Sequence, residues 1–365
     1  MRVAVVTPRF PPEPGGVEQY AAWVARTLRD AGHEVTVVTT GRARRTEHTS
    51  YDGVPVVRLG TWFTLSNTPV NPLWAWQLPR LLRRLGTEVV DAHAPVPGLA
   101  DLAAYTSPAP VVLTYHSGSL AKGSAVDPLL RAYERHLLPR VFRRCAALVA
   151  VSPVSLAHRT GRAVLIPPGV DGQRFAPTDE PRGRRVLFVG RVERTSRWKG
   201  LQVLVDALPR LRALVPEACL EVVGGGDDVE ALQKRAADLG VADLVTWHGP
   251  VPHDALPDHY RRAGVTVLPS LTESESFGMA LAEALACGCP VVGSDVGGIP
   301  FVVRDGVDGR LVPPGDPDAL ADALAEVLLD PPVVEPSRWD WQSRVAPTLA
   351  VLEGSRSGEN EGEAA

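Results

Sequence analysis

The sequence predicts an α/β protein of two Rossmann-like, doubly wound domains facing each other across a cleft. Three observations predict it. Short apolar runs of strand length alternate with amphipathic helical stretches along the chain. Those runs lack the period-two alternation of a half-solvated sheet, so they belong in a parallel sheet covered on both faces. The pattern also begins again after a Pro- and Gly-rich stretch near the middle. At 365 residues the chain exceeds one comfortable core and fits two.

In chain order, residues 3–7 form the first strand, and a turn-rich segment leads to a helix over 17–30. Val17, Tyr20, Ala21, Val24 and Leu28 share one of its faces. Ala31-Gly32-His33 stops that helix, and 35–39 is the next strand. Further strands follow at 89–92, 111–114 and 147–151. Residues 166–178, with three prolines and two glycines, have the composition of a linker. The second domain then alternates strand 186–189, helix 201–214, strand 220–223, helix 229–239, strand 244–248 and helix 255–263. Strand 265–269, helix 279–286 and strand 291–293 complete the alternation. A last helix is expected at about 341–352, and 355–365 reads as a disordered Gly/Glu/Ser tail. The domains are thus 1–168, completed by the C-terminal helix, and 169–340.

Composition excludes several classes. Hydrophobic residues at 45% and charged residues at 22% describe a soluble globular protein. The chain runs from Met1 directly into a strand without a signal sequence, and no apolar run has the length of a membrane span. Cys145, Cys219, Cys287 and Cys289 read as reduced, mostly buried residues of a cytoplasmic protein; none stands at a zinc-like spacing. The charge is asymmetric. Residues 1–175 hold 20 Arg and Lys against 12 Asp and Glu, and residues 176–365 hold 18 against 30. A basic first half suits an anionic partner such as a lipid phosphate or the inner membrane face, and no nucleic acid is implied. The strongest basic stretches are 81–85 and 137–144. In the second, Arg140, Arg143 and Arg144 alternate with Leu138, Val141 and Phe142, either as a membrane-docking face or as an ordinary surface helix.

The sharpest chemical signal is the segment from Glu275 to Glu283, Glu-Ser-Phe-Gly-Met-Ala-Leu-Ala-Glu. It joins the strand at 265–269 to a helix, at the carboxyl edge of a parallel sheet where ligands bind. The helix start offers the N–H groups of Phe277, Gly278 and Met279 to an anion. Glu283 sits among apolar and small residues, where a carboxylate needs a partner: sugar hydroxyls, or a core arginine. A second signal is Gly190-Arg191 after the strand at 186–189, followed by Lys199-Gly200. Both cations emerge at the same edge and suit a leaving diphosphate. Lysine is scarce, present only at positions 122, 199 and 234, which makes Lys199 conspicuous. Glycine loops at Gly15-Gly16 and Gly224-Gly225-Gly226 follow strands but lack the dinucleotide fingerprint, which counts against a nicotinamide enzyme. His116 follows the strand at 111–114 at the ligand edge of the first sheet, with no nucleophile elbow beside it.

With these residues the chain resembles the retaining GT-B glycosyltransferases of family 4, the glycosyl transferases group 1, from the first strand to about Trp341. The Glu275-x7-Glu283 pattern with Phe277-Gly278 inside it is the most specific element. The resemblance implies that Glu275 contacts the donor sugar, Glu283 the ribose, and Phe277, Gly278 and Met279 the sugar and phosphate through their amides. It assigns Arg191 and Lys199 to the diphosphate, Gly16 and Gly225 to glycine loops at the donor, His116 to the transferred hexose, and Val251 to the base. It places the acceptor on the first domain and the nucleotide sugar on the second, with no metal required. The expected reaction moves a hexose from a nucleotide diphosphate sugar to a glycan or glycolipid hydroxyl. The rivals are a nucleotide-sugar epimerase of the same fold and a catalytically silent glycan-binding scaffold. Trp339 and Trp341 resemble the start of the family's final helix. Two features depart from the pattern: seven residues separate Arg191 from Lys199, and Phe301 stands where many members have a glutamate.

Overall fold

The computed structural model describes residues 1–13, 15–65, 68–120 and 126–358, with only the backbone of Ser337. The chain divides into two compact units, Met1–Pro167 with Arg344–Ala365, and Pro168–Ser343.

Unit 1 begins with β1 (Arg2–Val6), α1 (Gly16–Asp30), β2 (Glu34–Thr40), β3 (Glu47–Tyr51) and β4 (Val54–Leu59). A short antiparallel hairpin, β5 (Phe63–Leu65) and β6 (Thr68–Val70), leads into α2 (Trp74–Arg84). Then come β7 (Val89–Ala94), α3 (Leu99–Thr106), β8 (Val111–Tyr115), α4 (Asp127–Ala132), α5 (Leu138–Arg144), β9 (Ala147–Ala150) and β10 (Ala163–Leu165). The sheet order is β10-β9-β8-β7-β1-β2-β4-β3, parallel except for the antiparallel edge strand β3. The all-parallel expectation therefore fails at that edge. Residues 47–51 are largely exposed and polar, so they lack the apolar run that identifies a buried parallel strand.

Unit 2 holds β11 (Arg185–Val189), α6 (Leu201–Leu214), β12 (Cys219–Val223), α7 (Val229–Asp238), β13 (Val245–Gly249) and α8 (Leu256–Arg262). It continues with β14 (Val265–Leu268), α9 (Met279–Ala286), β15 (Val291–Ser294), α10 (Ile299–Val302), β16 (Gly309–Val312) and α11 (Pro317–Leu329). Its six parallel strands run β13-β12-β11-β14-β15-β16, the doubly wound order that reverses between β11 and β14. In an open sheet of this order, ligands bind at the carboxyl edge where the order reverses. Leu187, Val222, Val267 and Val292 are sealed inside, between helices on both faces.

The expected linker, residues 166–178, holds the junction between the units at Pro167 and Pro168, and its later part is packed onto unit 2. The amide of Val170 donates to Trp339 O at 2.6 Å, Trp341 N donates to Val170 O at 3.0 Å, and Val170 and Phe175 are buried in the unit 2 core. The apolar residues between the prolines are what anchor it. Contrary to expectation, Ser355–Ser357 is not tail but the end of a helix, α12 (Gln342–Ser357), where Val351, Leu352 and Ser355 are buried. Glu88 of unit 1 pairs with Arg356 at 3.5 Å. Residues 359–365, Pro14 and Lys122 lie outside the described residues.

Candidate active site

Three loops meet at the reversal point of the unit 2 sheet. The first, after β11, runs through Gly190 and Arg191 into a 3₁₀ turn, Arg194–Lys199. The second runs from Pro269 to Gly278 after β14, and the third carries Gly297 and Gly298 after β15. Leu271 N donates to Trp198 O at 2.7 Å, and Gly298 N to Glu275 O at 2.7 Å. Glycine is required where the loops touch. Gly200 has φ +76°, and a Cβ there would lie 1.8 Å from Pro269 O.

This packing brings Lys199 and Glu275 together. Lys199 Nζ donates to Glu275 Oε2 at 2.8 Å, with side chains 18% and 11% exposed. The Lys199 ammonium also lies 4.7 Å from the Trp198 ring centroid. Arg191 is exposed, and among the described residues its one ion pair is a long one with Glu193, at 4.0 Å. Gly190 sits against the Lys199 stem, where a Cβ would be 3.4 Å from Lys199 Cδ. Both cations leave the sheet on the connection after β11, at its carboxyl edge.

Gly278, at φ +97°, caps α9. The ladder begins with Leu281 and Ala282 donating to Gly278 O, so the amides of Gly278 and Met279 stand ahead of it and point along the dipole. Phe277 is buried, its ring 5.1 Å from Trp339 and 6.3 Å from Phe301. Phe301, 5.8 Å from Trp339, completes this aromatic cluster.

Glu283 lies within α9, 8% exposed. Among the described residues its partners are a tyrosine and a histidine, and no arginine is paired with it. Tyr260 OH donates to Oε2 at 2.8 Å, and His253 Nε2 lies 3.0 Å from Oε1. Burial first, and Glu283 next, push the Tyr260 hydroxyl well above its ordinary range, so it stays a donor. Val251 is half-buried against the core two residues before His253. The Gly224–Gly226 loop supports Arg191: Val192 N donates to Gly225 O at 3.0 Å, and a Cβ on Gly224 would strike Gly190 O. Gly225 therefore holds the β11 loop in place, a role the resemblance did not assign to it.

Gly16 and His116 belong to unit 1. Gly16 is the exposed first residue of α1. His116 is buried, its Nε2 3.1 Å from Nδ1 of His93, whose own Nε2 lies 3.3 Å from Asp91 Oδ2 without hydrogen-bond alignment. Tyr20 packs edge-on against both imidazoles. Burial first, then His93, hold His116 well below the usual histidine range, so the ring is neutral near pH 7. Asp91 and His93 went unnoticed in the sequence, although they alternate on β7 and so share a face, and Tyr20 was read only as part of the apolar face of α1. Tyr260 and His253 left no comparable signal, because they reach Glu283 only through packing.

The glycosyl transferases group 1 model matches residues 172–344, and that of Glycosyltransferase Family 4 matches residues 14–174. The chain belongs to this glycosyltransferase family and has the GT-B fold. It is 32% identical to the GDP-mannose-dependent alpha-(1-6)-phosphatidylinositol monomannoside mannosyltransferase of Mycolicibacterium smegmatis, over 96% of this chain and 98% of that one. It is also 32% identical to a D-inositol 3-phosphate glycosyltransferase of Acidothermus cellulolyticus, over 92% of this chain and 85% of the relative. Among solved structures it resembles the sucrose-phosphate synthase of Thermosynechococcus elongatus, with TM-score 0.77 and 23% identity, covering 96% of this chain and 98% of that one. Anabaena HepE, solved with UDP, matches with TM-score 0.74 and 20% identity, covering 97% of this chain and 100% of that one.

Proposed function

We propose that the protein is a retaining hexosyltransferase, taking its sugar from a nucleotide diphosphate donor on unit 2 and passing it to a hydroxyl of a lipid-linked acceptor held by unit 1. The observation that carries this reading is the Lys199–Glu275 contact at the sheet's reversal point, beside the α9 N-terminus. A sugar–pyrophosphate needs opposite charges side by side, a cation for phosphate oxygens and a carboxylate for sugar hydroxyls.

In the reaction, the bond from the anomeric carbon to the phosphate oxygen breaks as the acceptor oxygen bonds to the same face. The acceptor's proton passes to the departing phosphate. Arg191, Lys199 and the amides at Gly278 and Met279 stabilise the charge that develops on the diphosphate, with no metal required. Glu275 accepts from hydroxyls of the donor sugar, and Glu283, oriented by Tyr260 and His253, accepts from the ribose. His116, being neutral, serves as a hydrogen-bond partner for the hexose rather than as a cation.

Relatives named for GDP-mannose and phosphatidylinositol make GDP-mannose the first donor to test and an inositol-containing lipid the first acceptor. Unit 1 supports a peripheral membrane role through Trp62, Phe63 and Leu65, which are exposed, and Trp76 beside Arg80 on the exposed face of α2. In α5, Leu138, Val141 and Phe142 are buried, while Pro139, Arg140, Arg143 and Arg144 are exposed. Among the described residues, no helix is long and apolar enough to cross a membrane.

The test has two stages. Thermal shifts against GDP- and UDP-sugars identify the donor, because only a bound donor raises the melting temperature by mass action. Product analysis with that donor and the lipid then reads the anomeric configuration. An inverted product would remove the retaining assignment, and conversion of the donor without any acceptor would replace transfer with epimerisation.

A further inference from the structure

Away from the candidate active site, β12, β13 and α8 of unit 2 converge on one carboxylate. Glu221 occupies the middle of β12. Its register partner on β13 is Thr246, and alternation puts His248 on the same face. The pairing slips between Val222 and Val223, so His248 is the extra residue of a bulge, the device by which a strand re-aims a side chain. From above, α8 lowers His259 onto the same group.

The geometry is specific. His248 Nε2 lies 3.1 Å from Glu221 Oε2, and His259 Nδ1 lies 3.6 Å from that same oxygen. The second distance is too long for a hydrogen bond, and the buried His259 Nδ1 has no other partner among the described residues. All three ligand atoms lie within 4.8 Å of one another. Tetrahedral zinc with bonds of about 2.0–2.2 Å sets its ligand atoms roughly 3.3–3.6 Å apart, close to the separations from the shared oxygen. Two imidazoles and a carboxylate are ligands that zinc takes in sites keeping one open position. The half-exposed His248 leaves a way in for the ion and for a completing water. Arg185, with Nε 3.6 Å from Oε1, orients the carboxylate's other oxygen and leaves Oε2 inward.

From this we infer that Glu221, His248 and His259 form a zinc site that ties α8 to the sheet. It lies outside the proposed reaction and is independent of it. Its place in the fold gives it a consequence all the same. Tyr260, the residue after His259, donates to Glu283, so an ion on His259 fixes the rotation of the helix that presents that hydroxyl.

The test uses the full chain without a histidine tag, stripped with EDTA and titrated with zinc chloride by calorimetry. One ion per chain is expected, with a melting temperature that rises with zinc. His248→Ala, at a half-exposed position outside the core, retains the fold and weakens zinc binding at least about tenfold. Glu221→Gln does the same. Cobalt added in place of zinc gives the intense visible bands of a four-coordinate ion, and these disappear in His248→Ala. Failure of the wild-type chain to bind zinc overturns the assignment, as does unchanged affinity in His248→Ala.

Discussion

Lys199 and Glu275, 76 positions apart in sequence, form a largely buried 2.8 Å ion pair in unit 2. Each shields the other from the cost of burial, because an isolated charge in such a place is expensive. In the proposed reaction, a sugar–pyrophosphate gives each group a second partner of the correct sign.

Removing either member therefore does two things at once. Lys199→Ala is expected to lower kcat by about 10²–10³-fold, the scale seen on losing a charge-stabilising group. It also leaves Glu275 without its partner. In a double-mutant cycle, Lys199→Ala with Glu275→Gln should lose less than the sum of the two single losses. Strict additivity in steady-state kinetics would show that the two groups act separately.

Tyr260→Phe removes one hydrogen bond from Glu283 while keeping the ring in the core. A stability loss of about 1–2 kcal/mol follows from leaving a buried carboxylate oxygen short of a donor. If Glu283 accepts from ribose, the donor KM rises several-fold while kcat changes little. A fall in kcat at unchanged KM would instead place Tyr260 in the chemical step.

The depressed His116 has a consequence for stability. Its neutral form is favoured in the fold, so the unfolded chain binds more protons between the folded value and the ordinary value near 6.5. Its contribution is complete above about pH 6.5 and is lost progressively as pH falls below that. The melting temperature of the wild-type chain should drop from pH 7 to pH 5 more steeply than that of His116→Gln. Parallel curves would assign the acid sensitivity to other groups.

Gly200→Ala tests the loop junction that assembles the site. A Cβ would meet Pro269 O at 1.8 Å in a backbone conformation that disfavours side chains. The expected cost is about 2 kcal/mol or more, read by chemical denaturation. A variant of wild-type stability would show that the β11 and β14 loops are not locked together at this point.

Membrane docking has its own check. Trp76→Ser with Phe63→Ser should reduce sedimentation with anionic lipid vesicles while leaving transfer to a soluble acceptor analogue unchanged, because both side chains are exposed and belong to the hairpin and α2. Equal binding by wild type and variant would direct attention to the arginines alone.

The sequence by itself determined the alternation of strands and helices, because parallel strands buried on both faces must be short apolar runs. It also marked the carboxyl-edge loops: Glu275, Gly278, Arg191 and Lys199 all follow strands, and strand ends can be read locally. Helix boundaries such as Leu201–Leu214 and Met279–Ala286 were legible for the same reason. Only the tertiary structure decided who meets whom. The strand order placed β11 beside β14, and with it Lys199 against Glu275. The descent of α8 onto the sheet gave Glu283 its Tyr260 and Glu221 its His259, while the turn before α8 supplied His253 and the β12–β13 pairing supplied His248. These partners lie tens of residues apart and have no spacing rule, since contacts of that kind arise from packing that no local pattern encodes.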